Sequence, residues 1–283
     1  MIRQPAVAGR FYPSDPVELA RQIDGFVSAG GPPAAAKVRA SACLVPHAGY
    51  TYSGRVAGAV YASMEIPSRC ILLGPRHYPR GEPLAILTEG GFSTPFGDAP
   101  IDSELAHKLA HAFPRLRDDA LAHETEHSLE VQLPFLQHSV KDFRFVPIVL
   151  STDRYGALEE LGQALAQVLA AEEERVLIAA SSDMNHYESD GITRAKDERA
   201  VRQILALDPR GLYDTVRNEG ISMCGYAATV AMLTAVRQLR KMAPGTSGLT
   251  GDATEPLLVS YATSGDVNGD RERVVGYAGI VIP

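Results

Sequence analysis

Apolar runs of strand length alternate with helical patterns through most of this 283-residue chain. Such alternation is typical of α/β proteins, in which helices cover the faces of a sheet whose strands are buried. No repeat at a fixed period is visible in the sequence. The pattern therefore predicts an α/β fold.

Seven runs rich in apolar residues are predicted as strands and seven amphipathic segments as helices. The predicted strands are 42–45, 70–73, 84–88, 143–150, 176–180, 257–263 and 274–282. The predicted helices are 55–64, 102–112, 128–140, 155–171, 192–207, 209–219 and 226–240. Pro134 lies inside the third of these helices, where it is expected to kink the axis.

Two stretches rich in glycine, proline and small residues, 28–37 and 243–255, are predicted as a linker and a surface loop. Neither separates two segments large enough to form domains. We therefore expect one domain over residues 1–283.

Charge and composition exclude several classes of protein. A net charge of −7 and a pI near 5.6 argue against a nucleic-acid partner, because such proteins present a basic face. The sequence has no apolar segment long enough for a signal peptide or a membrane helix, so we expect no membrane association and a cytoplasmic location. Three scattered cysteines form neither a disulfide framework nor a zinc-finger spacing.

Polar side chains follow three of the predicted strands at the point where each strand ends. His47 follows the strand at 42–45, His77 follows the strand at 70–73, and Asp183 and His186 follow the strand at 176–180. In α/β sheets ligands bind beyond the carboxyl ends of the strands. One such histidine alone would be interpreted as a surface or capping residue, but three at equivalent junctions predict a shared site.

Cys224 precedes the predicted helix at 226–240, where helix N-terminal amides are expected to favour a thiolate. It is a candidate nucleophile with a histidine as base, or a soft metal ligand beside two imidazoles. Free cysteines are more often small buried residues, and that interpretation is kept for Cys43 and Cys70.

Two further motifs resemble metal sites but lack the right context. Residues 123–127 match H-E-x-x-H, yet the charged segment before them favours a solvated loop, with His123 exposed. Residues 266–270 resemble the start of a calcium loop, but Arg271 occupies the place of the essential glycine. Asn268-Gly269 is better explained as a hairpin turn between two strands.

Ordered motifs along the whole chain resemble those of the Memo family, known in bacteria and archaea as protein B of the AmmeMemoRadiSam set. The motifs are RQPAVAGRFYPSDP, VPHAGYTYSG, LLGPRHY, FGDAPID, EHSLEVQLPFLQ, SSDMNHY, MCGYAAT and SYATSGDVNGDRERVVGYAG. The resemblance implies the fold of class III extradiol dioxygenases, a single α/β domain with a central mixed β-sheet flanked by helices and a site at the strand ends.

The same resemblance implies a metal site made by His47, His77 and Cys224, with Asp183, His186 and His127 close by as catalytic residues. The dioxygenases hold iron with two histidines and one carboxylate, whereas here the third ligand would be a cysteine. A thiolate shifts preference toward copper or zinc without excluding iron. Ring cleavage is therefore not carried over to this chain.

Three functions follow as hypotheses. The first is a metal-dependent redox enzyme with a single copper or iron ion, zinc being a further option, in which His186 acts as acid or base, Asp183 orients it and His127 contacts substrate. Its partner would be an unknown small molecule or peptide, with a pathway link to radical SAM and AMMECR-like proteins. The second is a non-catalytic module that binds a metal or peptide, and the third is a metal-independent hydrolase using Cys224 and a histidine.

Overall fold

The computed structural model describes residues 1–29, 37–242 and 255–283. Its strands are β1 (Ile2–Arg3), β2 (Ala42–Val45), β3 (Arg69–Pro75), β4 (Leu84–Ile86), β5 (Gly91–Thr94), β6 (Gly97–Pro100), β7 (Arg117–Asp118), β8 (Arg144–Leu150), β9 (Val176–Ser181), β10 (His186–Glu188), β11 (Leu257–Thr263) and β12 (Val274–Ile282). Its α-helices are α1 (Pro16–Ala29), α2 (Tyr50–Ser63), α3 (Ser103–Ala112), α4 (Ala120–His123), α5 (Leu133–Ser139), α6 (Tyr155–Leu169), α7 (Asp190–Leu205), α8 (Pro209–Asn218), α9 (Tyr226–Met242) and α10 (Gly265–Asn268).

A nine-stranded mixed sheet forms the centre of the described part of the chain. Its strand order is β10-β12-β2-β9-β3-β8-β4-β7, and β11 pairs with β12 as well. The strands β2, β9, β3 and β8 are parallel, while β12 and β4 join them in antiparallel pairs. The predicted α/β fold with a central mixed sheet is confirmed.

The parallel strands are buried because helices cover them. Every residue of β2 and β3 is buried, which is the pattern expected of strands with covered faces. Helix α9 packs on β3 and β9 and in turn contacts α6, whereas α2 packs on β11 and β12 and contacts α1. None of the helices among the described residues combines the length and hydrophobicity needed to cross a bilayer.

All seven predicted strands and the predicted helices are present, with ends shifted by a few residues. The segment 128–140 differs, because a 3₁₀ turn over Glu130–Gln132 precedes α5 and Pro134 lies in the first turn of that helix, where no backbone bond is lost. The expected turn at Asn268-Gly269 is instead the end of the one-turn helix α10, with Gly269 in the left-handed conformation at φ 79°. The predicted linker lies largely, and the predicted loop almost wholly, outside the described residues.

The first residues of the chain are fixed by a buried ion pair. The Nη1 group of Arg3 lies 2.6 Å from Glu130 Oε2, and the Glu130 side chain has no exposed surface. Glu130 also accepts hydrogen bonds from the amides of residues 6 and 7 and from Tyr12 Oη. Arg3 donates to the carbonyl oxygens of His123 and Glu126. The N-terminal segment therefore holds the loop that carries residues 123–130.

Truncation of either partner of this pair is expected to destabilise the protein strongly. Glu130→Ala would leave the Arg3 guanidinium buried and unpaired, at a cost of about 3–5 kcal/mol in the free energy of unfolding. Chemical denaturation at neutral pH measures the loss. The matched control is Asp214→Ala, which breaks the exposed Arg210–Asp214 pair on α8 and should cost less than about 0.5 kcal/mol. Equal losses in the two variants would contradict the role given to Glu130.

Candidate metal centre

Three neighbouring strands deliver the predicted site residues to one edge of the sheet. The strands β2, β9 and β3 are adjacent and parallel, so their carboxyl ends meet at the same edge. His47 follows β2, His77 follows β3 and Asp183 follows β9. Cys224 joins them from the loop between α8 and α9.

The hydrogen bonds of His47 define which of its ring nitrogens carries the proton. Ser181 Oγ donates its single proton to the Ser128 carbonyl oxygen at 2.6 Å, and it lies 2.9 Å from His47 Nδ1. Because the serine proton is already used, His47 Nδ1 must be the donor in that contact. The Nε2 atom of His47 therefore presents a lone pair. Burial lowers the pKa of His47 to about 3, with a further contribution from His77, so the ring is neutral at pH 7.

His77 is oriented in the same way by a carboxylate. Its Nδ1 lies 2.9 Å from Glu126 Oε1, and its backbone amide donates to Glu126 Oε2. Burial, the largest single influence, would raise the pKa of Glu126, but the hydrogen bond and charge of His77, together with His127 and the Ser128 amide, lower that pKa to about 2. The ionised carboxylate accepts the Nδ1 proton, so in the neutral tautomer of His77 the lone pair is on Nε2. A carboxylate behind an imidazole is the usual support of a metal-ligating histidine.

Cys224 lies against His47 and the backbone of Asp183. Its Sγ is 3.2 Å from His47 Nε2 and accepts a hydrogen bond from the Asp183 amide at 3.3 Å. Burial, together with the negative charge of Asp183, raises the pKa of Cys224 well above its ordinary value. The expectation of a thiolate favoured by the helix terminus is therefore wrong, since burial outweighs the amides.

The donor atoms of His47, His77 and Cys224 all lie within 4.8 Å of one another. A second group, made by His77, Glu126 and His127, meets the same criterion, but there Glu126 already accepts the Nδ1 proton of His77. Only the first group combines two free imidazole lone pairs with a sulfur atom. This is the ligand set that the sequence predicts, and its assignment to a metal stays a prediction.

Asp183 and His186 have separate partners. Asp183 Oδ1 accepts the backbone amides of His47 and Ala48, and burial raises the pKa of this carboxyl group. His186 Nδ1 donates to the Ser222 carbonyl oxygen at 2.9 Å, while Ser222 Oγ accepts the His186 amide. Ser222 rather than Asp183 therefore orients His186, because the Asp183 carboxylate is turned toward the loop after β2.

The two histidines of the H-E-x-x-H match lie in different surroundings. His127 stacks on the His77 ring at 4.6 Å and contacts Phe11 edge-on at 5.0 Å. His123 is only 1% exposed, so its predicted solvated position is wrong. It is buried because Arg3 binds its carbonyl oxygen and Phe92 packs beside its ring. The match to a zinc-peptidase motif is coincidental, since His123 is absent from the wall of the cavity at the site.

All six predicted site residues line one cavity of about 590 Å³. The remaining lining residues are Phe11, Ala48, Gly49, Tyr187, Ser222, Val275 and Tyr277. Sequence reasoning gave no role to Glu126, Ser181 or Ser222, which hold the histidine rings. Glu126 belongs to the motif EHSLEVQLPFLQ with His127, and Ser181 belongs to the motif SSDMNHY with Asp183. This proximity to predicted site residues was the signal from which their roles could have been predicted.

Comparison with known proteins identifies relatives along the whole chain. The family described as "Memo-like protein" matches residues 3–281. A MEMO1 family protein of Methanopyrus kandleri is 39% identical over 291 residues, covering 99% of each chain. A MEMO1 family protein of Aquifex aeolicus is 39% identical over 281 residues, covering 99% of this chain and 98% of the relative.

Among solved structures, an uncharacterized protein of Escherichia coli K12 has a similar fold. The TM-score is 0.56, and the match covers 87% of this chain and 100% of that protein. The sequence identity is 13%, so the similarity concerns the fold alone.

Buried neutral histidines predict that the protein loses stability in acid. Burial lowers the pKa of His123 to about 3, below its ordinary value of 6.5, so the unfolded chain binds a proton that the folded one does not. The contribution of this residue to the free energy of unfolding is therefore complete above pH 6.5. It falls by about 1.4 kcal/mol per pH unit as the pH drops from 6.5 toward 3. His123→Leu should remove this part of the slope between pH 6.5 and 5, as measured by urea denaturation.

The control for that measurement is His111→Gln on α3, whose side chain is exposed. This variant should keep the slope of the unchanged protein. If His123→Leu also keeps that slope, His123 is protonated in the folded state and its burial has been misassigned.

Proposed function

The chain belongs to the Memo family, and we propose that it is a metal-dependent redox enzyme that holds a single copper or iron ion on His47, His77 and Cys224. The observation that carries the proposal is the pair of imidazoles whose Nδ1 atoms are both committed to hydrogen bonds. One ring nitrogen of each imidazole and the Cys224 sulfur lie within 4.8 Å of one another, and His47 Nε2 is 3.2 Å from that sulfur. Atoms bound to one transition-metal ion lie about 3–4 Å apart, so small side-chain movements would suffice.

The donor set favours a metal of intermediate or soft character. Two imidazoles and one thiolate suit copper and zinc and also accept iron, and of these copper and iron have redox chemistry. The bound ion would supply electron transfer and Lewis acidity to a substrate in the cavity. The loss of the Cys224 proton on binding adds a negative charge beside the ion, which offsets part of its charge.

Three further side chains of the cavity can handle protons and position the substrate. His186 has a free Nε2 atom because Ser222 holds its Nδ1 proton, so we assign it the role of general acid or base. Asp183 is a buried carboxyl group with a raised pKa, which suits proton exchange with a bound substrate. Burial lowers the pKa of His127 to about 4, so a neutral imidazole contacts the substrate.

A metal-independent hydrolase is less well supported by the same atoms. Such enzymes activate the cysteine as a thiolate paired with an imidazolium. Here burial raises the pKa of Cys224 and lowers that of His47, so the pair at 3.2 Å is neutral on both sides. A bound cation would reverse this balance, whereas the protein alone does not.

The substrate is proposed to be a small molecule or a peptide segment that enters the cavity. A link to radical SAM and AMMECR-like proteins remains part of the proposal and rests on membership of the family. A cytoplasmic location agrees with the chemistry, because a reducing compartment keeps Cys224 available as a ligand.

Metal binding should require Cys224 and should release its proton. The thiol is protonated at neutral pH, so the apparent affinity for Zn²⁺ should rise about tenfold per pH unit between pH 7 and 8.5. Cys224→Ala should bind Zn²⁺ much more weakly and lose this pH dependence. Cys43→Ala, which changes a buried cysteine outside the site, should bind as the unchanged protein does. Competition with a chromophoric chelator measures both quantities.

Glu126 should tune the affinity for the metal without touching it. Glu126→Gln removes the charge behind His77 and should weaken Zn²⁺ binding by about 10–100-fold. Glu124→Gln is the matched control, because Glu124 is exposed and pairs with Arg80. Unchanged affinity in Glu126→Gln would show that His77 is not a ligand.

Redox activity is tested by oxygen consumption after anaerobic loading with Fe²⁺ or Cu⁺. Uptake with any member of a panel of catechols, lost in His47→Ala, would support the enzyme. Tight metal binding without uptake would favour a non-catalytic binding module.

A further inference from the structure

Asp197 is a buried carboxylate that lies outside the wall of the cavity. It belongs to α7, and its side chain has no exposed surface. The other buried carboxylates outside that wall each pair with an arginine or a histidine: Glu130 with Arg3, Asp102 with Arg69, and Glu126 with His77. Asp197 forms no ion pair within the part of the chain that the structure describes. A buried charge without a cationic partner is unfavourable, so its presence calls for a reason other than stability.

The ionised form of Asp197 lowers the stability of the fold. Burial raises the pKa of Asp197 to about 6, although hydrogen bonds from Tyr261 and Asn185 act in the opposite direction. The ordinary value is 3.8, so the loss of stability begins near that pH and is complete above pH 6. Gly276 is part of the arrangement, because a Cβ atom there would overlap Asp197 Oδ2. A residue that lowers stability is characteristic of a functional site.

Both oxygens of Asp197 accept hydrogen bonds from neutral donors. Oδ1 accepts the backbone amide of Asn185 at 2.8 Å, and Oδ2 accepts the hydroxyl of Tyr261 at 2.7 Å. Asn185 directly precedes β10, which begins at His186. Helix α7 therefore fixes the backbone of the loop that delivers His186 to the cavity.

The side chain of Asn185 extends this connection to Ser222. Its Oδ1 accepts both the backbone amide and the hydroxyl of Ser222 at 3.1 Å, while its Nδ2 donates to Glu188 at 2.7 Å. The amide group of Asn185 therefore has one orientation that satisfies all its partners. The Ser222 carbonyl oxygen in turn accepts the Nδ1 proton of His186 at 2.9 Å. Asn185 and Ser222 thus connect the carboxylate on α7 to the ring of His186.

We propose that Asp197 is a positioning residue that fixes the orientation and the tautomer of His186 through Asn185 and Ser222. It holds in place the carbonyl oxygen that accepts the His186 Nδ1 proton. In the neutral ring the lone pair is then on Nε2, which is the nitrogen left for a substrate in the cavity. The inference rests on the proposed function, because that function makes His186 a general acid or base.

The test measures the tautomer of His186 in the full chain. Long-range proton–nitrogen NMR of the chelator-treated protein at pH 8 separates Nδ1–H from Nε2–H, and His186→Gln identifies the signals. Asp197→Ala removes the acceptor of the Asn185 amide. The ratio of Nδ1–H to Nε2–H should fall at least about fivefold, as expected for the loss of one hydrogen bond. An unchanged ratio would overturn the proposal. If Asp197→Ala does not fold, Asp197→Ser serves the same purpose, because its hydroxyl is too short to reach Asn185.

Two further variants separate positioning from general loosening of the structure. Asp197→Asn keeps an oxygen for the Asn185 amide, and its nitrogen can donate to the Tyr261 oxygen, so it should restore the ratio of the unchanged protein. Tyr261→Phe removes the other hydrogen bond of Asp197 and leaves the Asn185 contact intact. It should therefore keep the ratio while losing stability. A fivefold fall in either variant would overturn the proposal.

Asp197 and Asn185 are expected to act in series. Asn185→Ala should lower the ratio by the same factor as Asp197→Ala, and the double variant should lower it no further. Additive effects would contradict a single connection between the two residues. Because the measurement uses neither metal nor substrate, a failure of this proposal is distinct from a failure of metal binding or oxygen uptake.

Discussion

The buried ion pair between Arg3 and Glu130 is the interaction on which the shape of the site depends. Arg3 also binds the carbonyl oxygens of His123 and Glu126, so one guanidinium fixes both ends of the segment 123–126, which directly precedes His127. Glu126 in turn holds the ring of His77. Arg3 and Glu130, which are 127 positions apart in the sequence, therefore cooperate to orient His77, a candidate ligand. The orientation of His77 therefore depends on contacts made by the N-terminal segment.

A second chain of hydrogen bonds reaches His47 from the opposite direction. Tyr61 donates to Gln132, Gln132 donates to Ser181, and Ser181 accepts the His47 Nδ1 proton. Gln132 Nε2 can only donate, and the Ser181 proton goes to the Ser128 carbonyl oxygen, so His47 Nδ1 must be the donor in its contact with Ser181. In their neutral forms His47 and His77 thus receive a defined tautomer from their surroundings, with the lone pair on Nε2.

The sequence predicted the parts of the site that follow from local order. His47, His77 and Asp183 could be found because each follows a buried strand, and adjacent parallel strands end at one edge. The orienting groups could not, because Glu126 and Ser222 reach the site through pairings set by the tertiary fold. His123 was misjudged for the same reason, since the charged residues before it indicate a loop but not what covers that loop. The small sheet of β1, β5 and β6 was missed because its strands are short and rich in glycine and polar residues.

The neutral state of the Cys224 thiol and the His47 imidazole follows from their burial. Burial raises the pKa of Cys224 and lowers that of His47, so the protein alone stabilises no charge between these two atoms. A cation that displaces the proton of the Cys224 thiol would be bound by the resulting thiolate and by the Nε2 lone pairs of His47 and His77. If the site holds a metal ion as proposed, the same burial that suppresses nucleophilic reactions of the free cysteine would favour a cation, because its charge would compensate the cost of a buried thiolate.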